Sequence, residues 1–138
     1  QVPVSQRILS IKGIGEITAA TLIGETANFQ NMTHRKELEK LAGLNLFTNS
    51  SGIRKGKRRI SKRGRPLLRK ALYFAALNVI KNDGVFRQKY QNYLEKGKPK
   101  NKALIAIARK LIGVIFALVR DNRDFDANYG SPVQKQAA

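Results

Sequence analysis

From Asn101 to Arg120 the apolar residues Leu104, Ile107, Ala108, Leu111, Ile112, Ile115, Leu118 and Val119 recur at intervals of three and four. That spacing predicts a long amphipathic helix, and its wide apolar face makes it a central core element. A second helix is predicted over Pro66 to Lys81. Pro66 suits the first helical position, and Leu67, Ala71, Leu72, Ala75, Ala76, Val79 and Ile80 form the inward face. Asn82, Asp83 and Gly84 read as a turn and N-cap before a third helix, Val85 to Lys96. There Phe86, Tyr90 and Tyr93 recur at four and three, and we read them as a core stripe rather than a platform for stacking bases. Shorter helices are expected at Val4 to Ser10 and at Thr33 to Gly43. In the second of these Leu38, Leu41 and Ala42 face inward, and Gly43 lies past the C-terminus. The apolar run Leu44 to Phe47 is expected to be extended. The fold class is therefore mostly α: a compact helical domain over residues 1–126, with 127–138 as a flexible tail and no internal repeat.

Charge changes the picture. The 138 residues carry a formal net charge of +18, and ten basic residues fall between Ile53 and Lys70 with no acidic one among them. Ten like charges in eighteen residues repel one another by roughly a few kcal/mol at low salt unless a polyanion lies alongside. Gly52, Gly56 and Gly64 interrupt the run, so a long basic loop is expected, with Asn49 to Gly52 at an exposed bend. Lying between apolar segments rather than in a tail, the run points to nucleic acid more than to a solvated charge tract. No apolar stretch is long enough to span a membrane.

The chain has no cysteine and a single histidine, His34. Disulfides, thiolate metal sites and Ser-His-Asp triads are thereby excluded within it, and His34 reads as a capping or surface residue. Asp121, Asp124 and Asp126 suit a helix-terminating, arginine-pairing segment better than a metal site. Gly13 and Gly15, in the pattern apolar-x-Gly-apolar-Gly ahead of a small-residue helix, predict a helix-hairpin-helix at about residues 8–25. Such a turn offers backbone N–H groups to a phosphate; the same pattern also fits a plain structural αα-turn. Glu16, at the start of the second helix, works against an anion there. For covalent chemistry only hydroxyls remain, with Ser50, Ser51 and Ser61 in or beside the basic loop.

Three stretches taken together are similar to a known family. They are Ile11 to Glu25, Leu41 to Leu77 and Lys96 to Asp126. In this order they resemble the C-terminal, serine-bearing domain of the insertion-sequence transposases with a DEDD, RuvC-like N-terminal domain. That family includes Piv-type invertases and bridge-RNA-guided recombinases. The resemblance implies that Ser51, before Gly52, attacks a DNA phosphodiester; the adjacent Ser50 leaves the assignment open by one residue. It implies no cofactor in this chain, with Mg²⁺ held by the carboxylates of the N-terminal domain. It implies DNA as partner, guide RNA in the RNA-guided members, homo-oligomers, and the bacterial cytoplasm at the nucleoid. The start Gln1-Val2-Pro3 suits a piece of a longer protein, inactive in strand transfer without its metal-binding half.

The candidate site is thus Ser51 as nucleophile, with Gly13, Gly15, Arg54, Lys55, Lys57, Arg58, Arg59, Lys62, Arg63 and Arg65 gripping nucleic acid. The alternative is a non-catalytic helix-hairpin-helix nucleic-acid-binding module.

Overall fold

The protein is seen in a computed structural model that describes residues 3–30, 32–51, 54–60, 62 and 64–126, and over 46–60 the backbone alone. Its elements in chain order are α1 (Val4–Leu9), α2 (Glu16–Glu25), α3 (Arg35–Ala42), β1 (Leu46–Ser51), β2 (Arg54–Ile60), α4 (Pro66–Asn82), α5 (Gly84–Glu95) and α6 (Lys100–Asp121). The chain is mostly helical, as its periodicity predicts. The expected tail lies outside the described residues.

Helix α6 is the core element its pattern predicts. Leu104, Ile107, Ala108, Leu111, Ile112, Ile115 and Leu118 are buried, and α1, α3, α4 and α5 all pack on it. Truncating any of these large side chains would leave a cavity costing roughly 2 to 5 kcal/mol. Helix α4 buries Leu68, Leu72, Ala75, Ala76 and Val79, so its inward face differs in one place from expectation: Leu67 is 58% exposed. Leu67 and Leu68 are adjacent and point about 100° apart on a helix, and only Leu68 shares the 68-72-75-79 row that meets the core. Phe86 is buried while Tyr90 and Tyr93 pack against the same cluster, so the aromatic stripe of α5 belongs to the core.

The short helices are held by local chemistry. His34 is the N-cap of α3, its Nδ1 accepting from the Lys36 amide at 3.1 Å. Asp83 caps α5, accepting from the Phe86 amide at 3.2 Å. Gly43 ends α3 in the left-handed conformation, φ 72°. Glu39, almost fully buried on α3, lies 3.3 Å from Arg35 and 3.7 Å from Arg109 of α6. After α6 the chain folds back. Arg7 meets Asp124 at 2.8 Å and Asn122 at 3.1 Å, and the Phe125 amide donates to Ser10 Oγ at 2.7 Å. The acidic segment therefore pairs with arginine, and no group of carboxylates and histidines fit to hold a metal occurs among the described residues.

Two relative directions matter for the site. Gly13 packs on Asn78 near the end of α4, and Glu25 bonds Arg65 just before its start, so α2 and α4 are antiparallel. Arg35 lies beside Gly113 and Glu39 beside Arg109, so α3 and α6 are antiparallel too.

The expected long basic loop is replaced in part by an antiparallel hairpin of β1 and β2. Extended backbone separates neighbouring charges by about 3.3 Å per residue against about 1.5 Å in a helix. Pairing with β1 also satisfies the backbone polar groups that a bare loop would leave to water.

Helices α1 and α2 pack on each other across a short turn, and Gly13 is required there by packing. Its φ is 106°, and a Cβ would sit 2.8 Å from the Asn78 carbonyl carbon and oxygen. Gly13→Ala combines positive-φ strain with that collision, a loss of roughly 2 to 5 kcal/mol. A fall in Tm of roughly 10 °C is expected by calorimetry. An unchanged Tm with weakened DNA binding would instead make Gly13 a phosphate-facing residue.

Candidate nucleic-acid interface

The hairpin's register pairs the backbone of Leu46 with Ile60, Phe47 with Arg59, Thr48 with Arg58, Ser50 with Lys55 and Ser51 with Arg54. From Thr48 to Ser50 is two steps, whereas from Arg58 back to Lys55 is three, so the extra residue of a bulge falls at 56–57, where Gly56 stands. Ser51, Arg54, Lys55, Lys57, Arg58 and Arg59 therefore share one two-stranded unit, with Ser51 and Arg54 its innermost pair. Ser51 and Arg54 flank the two-residue connection 52–53, which lies outside the described residues, as do Ser61 and Arg63.

The base of the hairpin is clamped to the end of α3. A helix leaves its last four carbonyl oxygens without internal partners, and all four are met here. Glu39 O accepts from the Leu44 amide at 2.9 Å and Lys40 O from the Gly43 amide at 3.0 Å. Leu41 O accepts from the Arg65 amide at 2.7 Å, and Ala42 O from Arg69 Nη1 at 3.3 Å. The Lys62 amide adds a bond to Gly43 O at 2.9 Å. Cations at a helix C-terminus are also favoured by its dipole. Gly64 makes this approach possible, since a Cβ there would collide with the Leu41 carbonyl oxygen and the Gly43 amide nitrogen.

Arg65 is not a free cation: its guanidinium bonds Glu25, which is largely buried. A cleft of about 740 Å³ opens beside this pair, lined by Glu25, Glu37, Lys40, Leu41, Gly64, Arg65, Pro66 and Leu67. Its two carboxylates disfavour a phosphate inside the cleft, and Lys62, exposed at φ 53°, lies outside it at the base of the hairpin.

Gly13 and Gly15 do not join this group. They lie at the far end of α4 from Arg65, and the thirteen residues from Arg65 to Asn78 span about 20 Å of helix. Gly15 is the exposed N-cap of α2 with open space at its Cβ position, and Glu16 is in the first turn. The residues that sequence reasoning missed are Glu25, which binds Arg65, and Arg69, which caps α3. The six-residue β1 and the seven-residue β2 were missed as well, because the basic sequence of β2 carries no strand pattern.

Residues 5–91 match the Transposase IS116/IS110/IS902 family, and the chain belongs to it. The chain is 37% identical over 124 residues to a pilin gene-inverting protein of Moraxella lacunata, covering 86% of this chain and 38% of that protein. It is 30% identical over 138 residues to the insertion element IS110 uncharacterized 43.6 kDa protein of Streptomyces coelicolor, covering 98% of this chain and 33% of that one. It is 30% identical over 117 residues to the transposase for insertion sequence element IS1111A of Coxiella burnetii, covering 83% and 32%. The chain thus spans about a third of the length of these curated relatives. No helix among the described residues is long and apolar enough to cross a membrane.

Glu25→Gln removes the carboxylate that holds Arg65. The freed guanidinium should raise affinity for duplex DNA a few-fold at low salt and steepen the slope of log K against log salt by about one. Weaker binding in the same salt titration would show that the ion pair is needed to shape the interface.

Proposed function

We propose that this chain is the part of a DNA transposase or invertase that grips DNA along the basic hairpin and presents Ser51 as its nucleophile. The observation that carries the reading is the register, which sets Ser51 beside Arg54 at the end of a strand rich in arginine and lysine. The names of two relatives, a transposase and a pilin gene-inverting protein, support the same class of reaction.

In the proposed step the Ser51 hydroxyl oxygen bonds to a backbone phosphorus while one phosphorus–sugar oxygen bond breaks. The serine proton ends on the departing sugar hydroxyl, and the phosphoserine link conserves the energy needed to rejoin strands. Guanidinium groups along the hairpin offset charge developing on the phosphoryl oxygens. Among the described residues no group of histidines and carboxylates is fit to hold a metal ion. In this reading the Mg²⁺ carboxylates belong to an N-terminal RuvC-like domain, the working protein is a homo-oligomer at the nucleoid, and a guide RNA shares the cationic surface where one is used.

Ser51→Ala in the whole protein should lower strand exchange by roughly 10³-fold or more while leaving DNA affinity within about two-fold. Ser50→Ala should leave exchange intact. Normal exchange in the Ser51 variant, or its loss in the Ser50 variant alone, removes Ser51 from the mechanism. Exchange that survives both substitutions favours the non-catalytic binding module.

Neutralising Arg58, Arg59, Lys62 and Arg63 together should flatten the salt dependence of DNA binding by about 3 to 4 in log K against log salt. A slope that does not move takes the DNA off the hairpin.

A further inference from the structure

The turn between α5 and α6, together with the first turn of α6, carries Lys96, Lys98, Lys100 and Lys102 within seven residues, and all four are exposed. The backbone there is held: the Gly97 amide bonds Leu94 O at 3.0 Å, the Lys98 amide bonds Tyr93 O at 3.0 Å, and Gly97 takes φ 90°. The Lys98 ammonium lies 4.9 Å from the Tyr93 ring centroid, which limits its freedom to the turn's own surface. None of the four lysines is in an ion pair within 4 Å among the described residues.

This placement is costly to the free protein. Lys100 and Lys102 stand in the first turn of the 22-residue α6, where the helix dipole already presents positive charge, and no acidic residue stands there with them. A polyanion alongside would offset that repulsion.

The position of the turn identifies the polyanion. Arg109 is level with Glu39 of α3. Because α3 and α6 are antiparallel, Lys100 lies nine residues, about 14 Å, from that level, and Ala42 three residues, about 5 Å, in the same direction. The lysine turn therefore projects beyond the end of α3 that holds the hairpin base through Lys62 and Arg65. The acidic segment 121–126 is at the opposite end, fastened to Arg7. The lysines also lie past residue 91, where the family match ends.

We infer that Lys96, Lys98, Lys100 and Lys102 form a second phosphate-binding surface that holds the same DNA duplex as the basic hairpin. This rests on the reading of the hairpin as a DNA-binding element. The two cationic surfaces share one pole of the molecule and act on neighbouring stretches of the duplex backbone.

The test uses the 138-residue chain and a random-sequence DNA duplex, read by fluorescence anisotropy across a salt series. The combined variant K96Q/K98Q/K100Q/K102Q should lose about 3 to 4 from the slope of log K against log salt, and the matching Lys→Arg variant should keep it. The Tm of the DNA-free Gln variant should equal or exceed that of the parent. An unchanged slope, or a lowered Tm, overturns the inference. If the hairpin variant loses slope and the lysine variant does not, the hairpin reading stands and only this inference falls. If the lysine variant alone loses slope, the lysines contact phosphate but the hairpin reading falls, and the shared duplex falls with it.

Discussion

Everything distinctive about this chain hangs on the C-terminal end of α3. An eight-residue helix cannot stand alone in water, and its last carbonyl oxygens are a liability wherever water is displaced. Here Leu44, Gly43, Arg65 and Arg69 meet them in turn. Two of those donors come from the chain that returns from the hairpin. The strands are therefore fixed to the helical body at their base, through Lys62 and Arg65, and the backbones of Ser51 and Arg54 form the last pair of the ladder. The absence of a Cβ at Gly64 is the geometric condition for that contact.

How much of this was legible depends on whether the deciding partner is close in sequence. Helix α6 was readable because its period repeats for five turns and persists across its single glycine, Gly113. His34 and Asp83 were readable as caps because capping is a two- or three-residue interaction. Leu67 was misplaced because two adjacent leucines both fit an apolar face, and only the position of the neighbouring helices separates them. The hairpin was hidden for a different reason. Arg54 to Ile60 has neither β-branched alternation nor an apolar face, and its pairing with residues 46–51 outweighs its weak propensity.

Gly13 shows the limit most plainly. Its motif is compatible with a phosphate and with a neighbouring helix, and the backbone of Asn78, sixty-five residues away, is what crowds it. The same antiparallel geometry that brings α4 to Gly13 carries the glycine turn about 20 Å from the basic hairpin. Two features that looked like one surface on paper occupy opposite ends of a helix. Conversely, the lysines of the α5–α6 turn and the arginines of β2, more than thirty residues apart in sequence, come to the same end of the fold.

The clasp of Arg7 and Ser10 on Asn122, Asp124 and Phe125 closes the described chain into a ring of more than a hundred residues. Fraying ordinarily begins where a chain is loose, and here α1 cannot peel away without also releasing the segment beyond α6. The entropy lost in joining such distant points is set once, at folding, and grows only slowly with their separation. Opening is thereby made a concerted event rather than a gradual one.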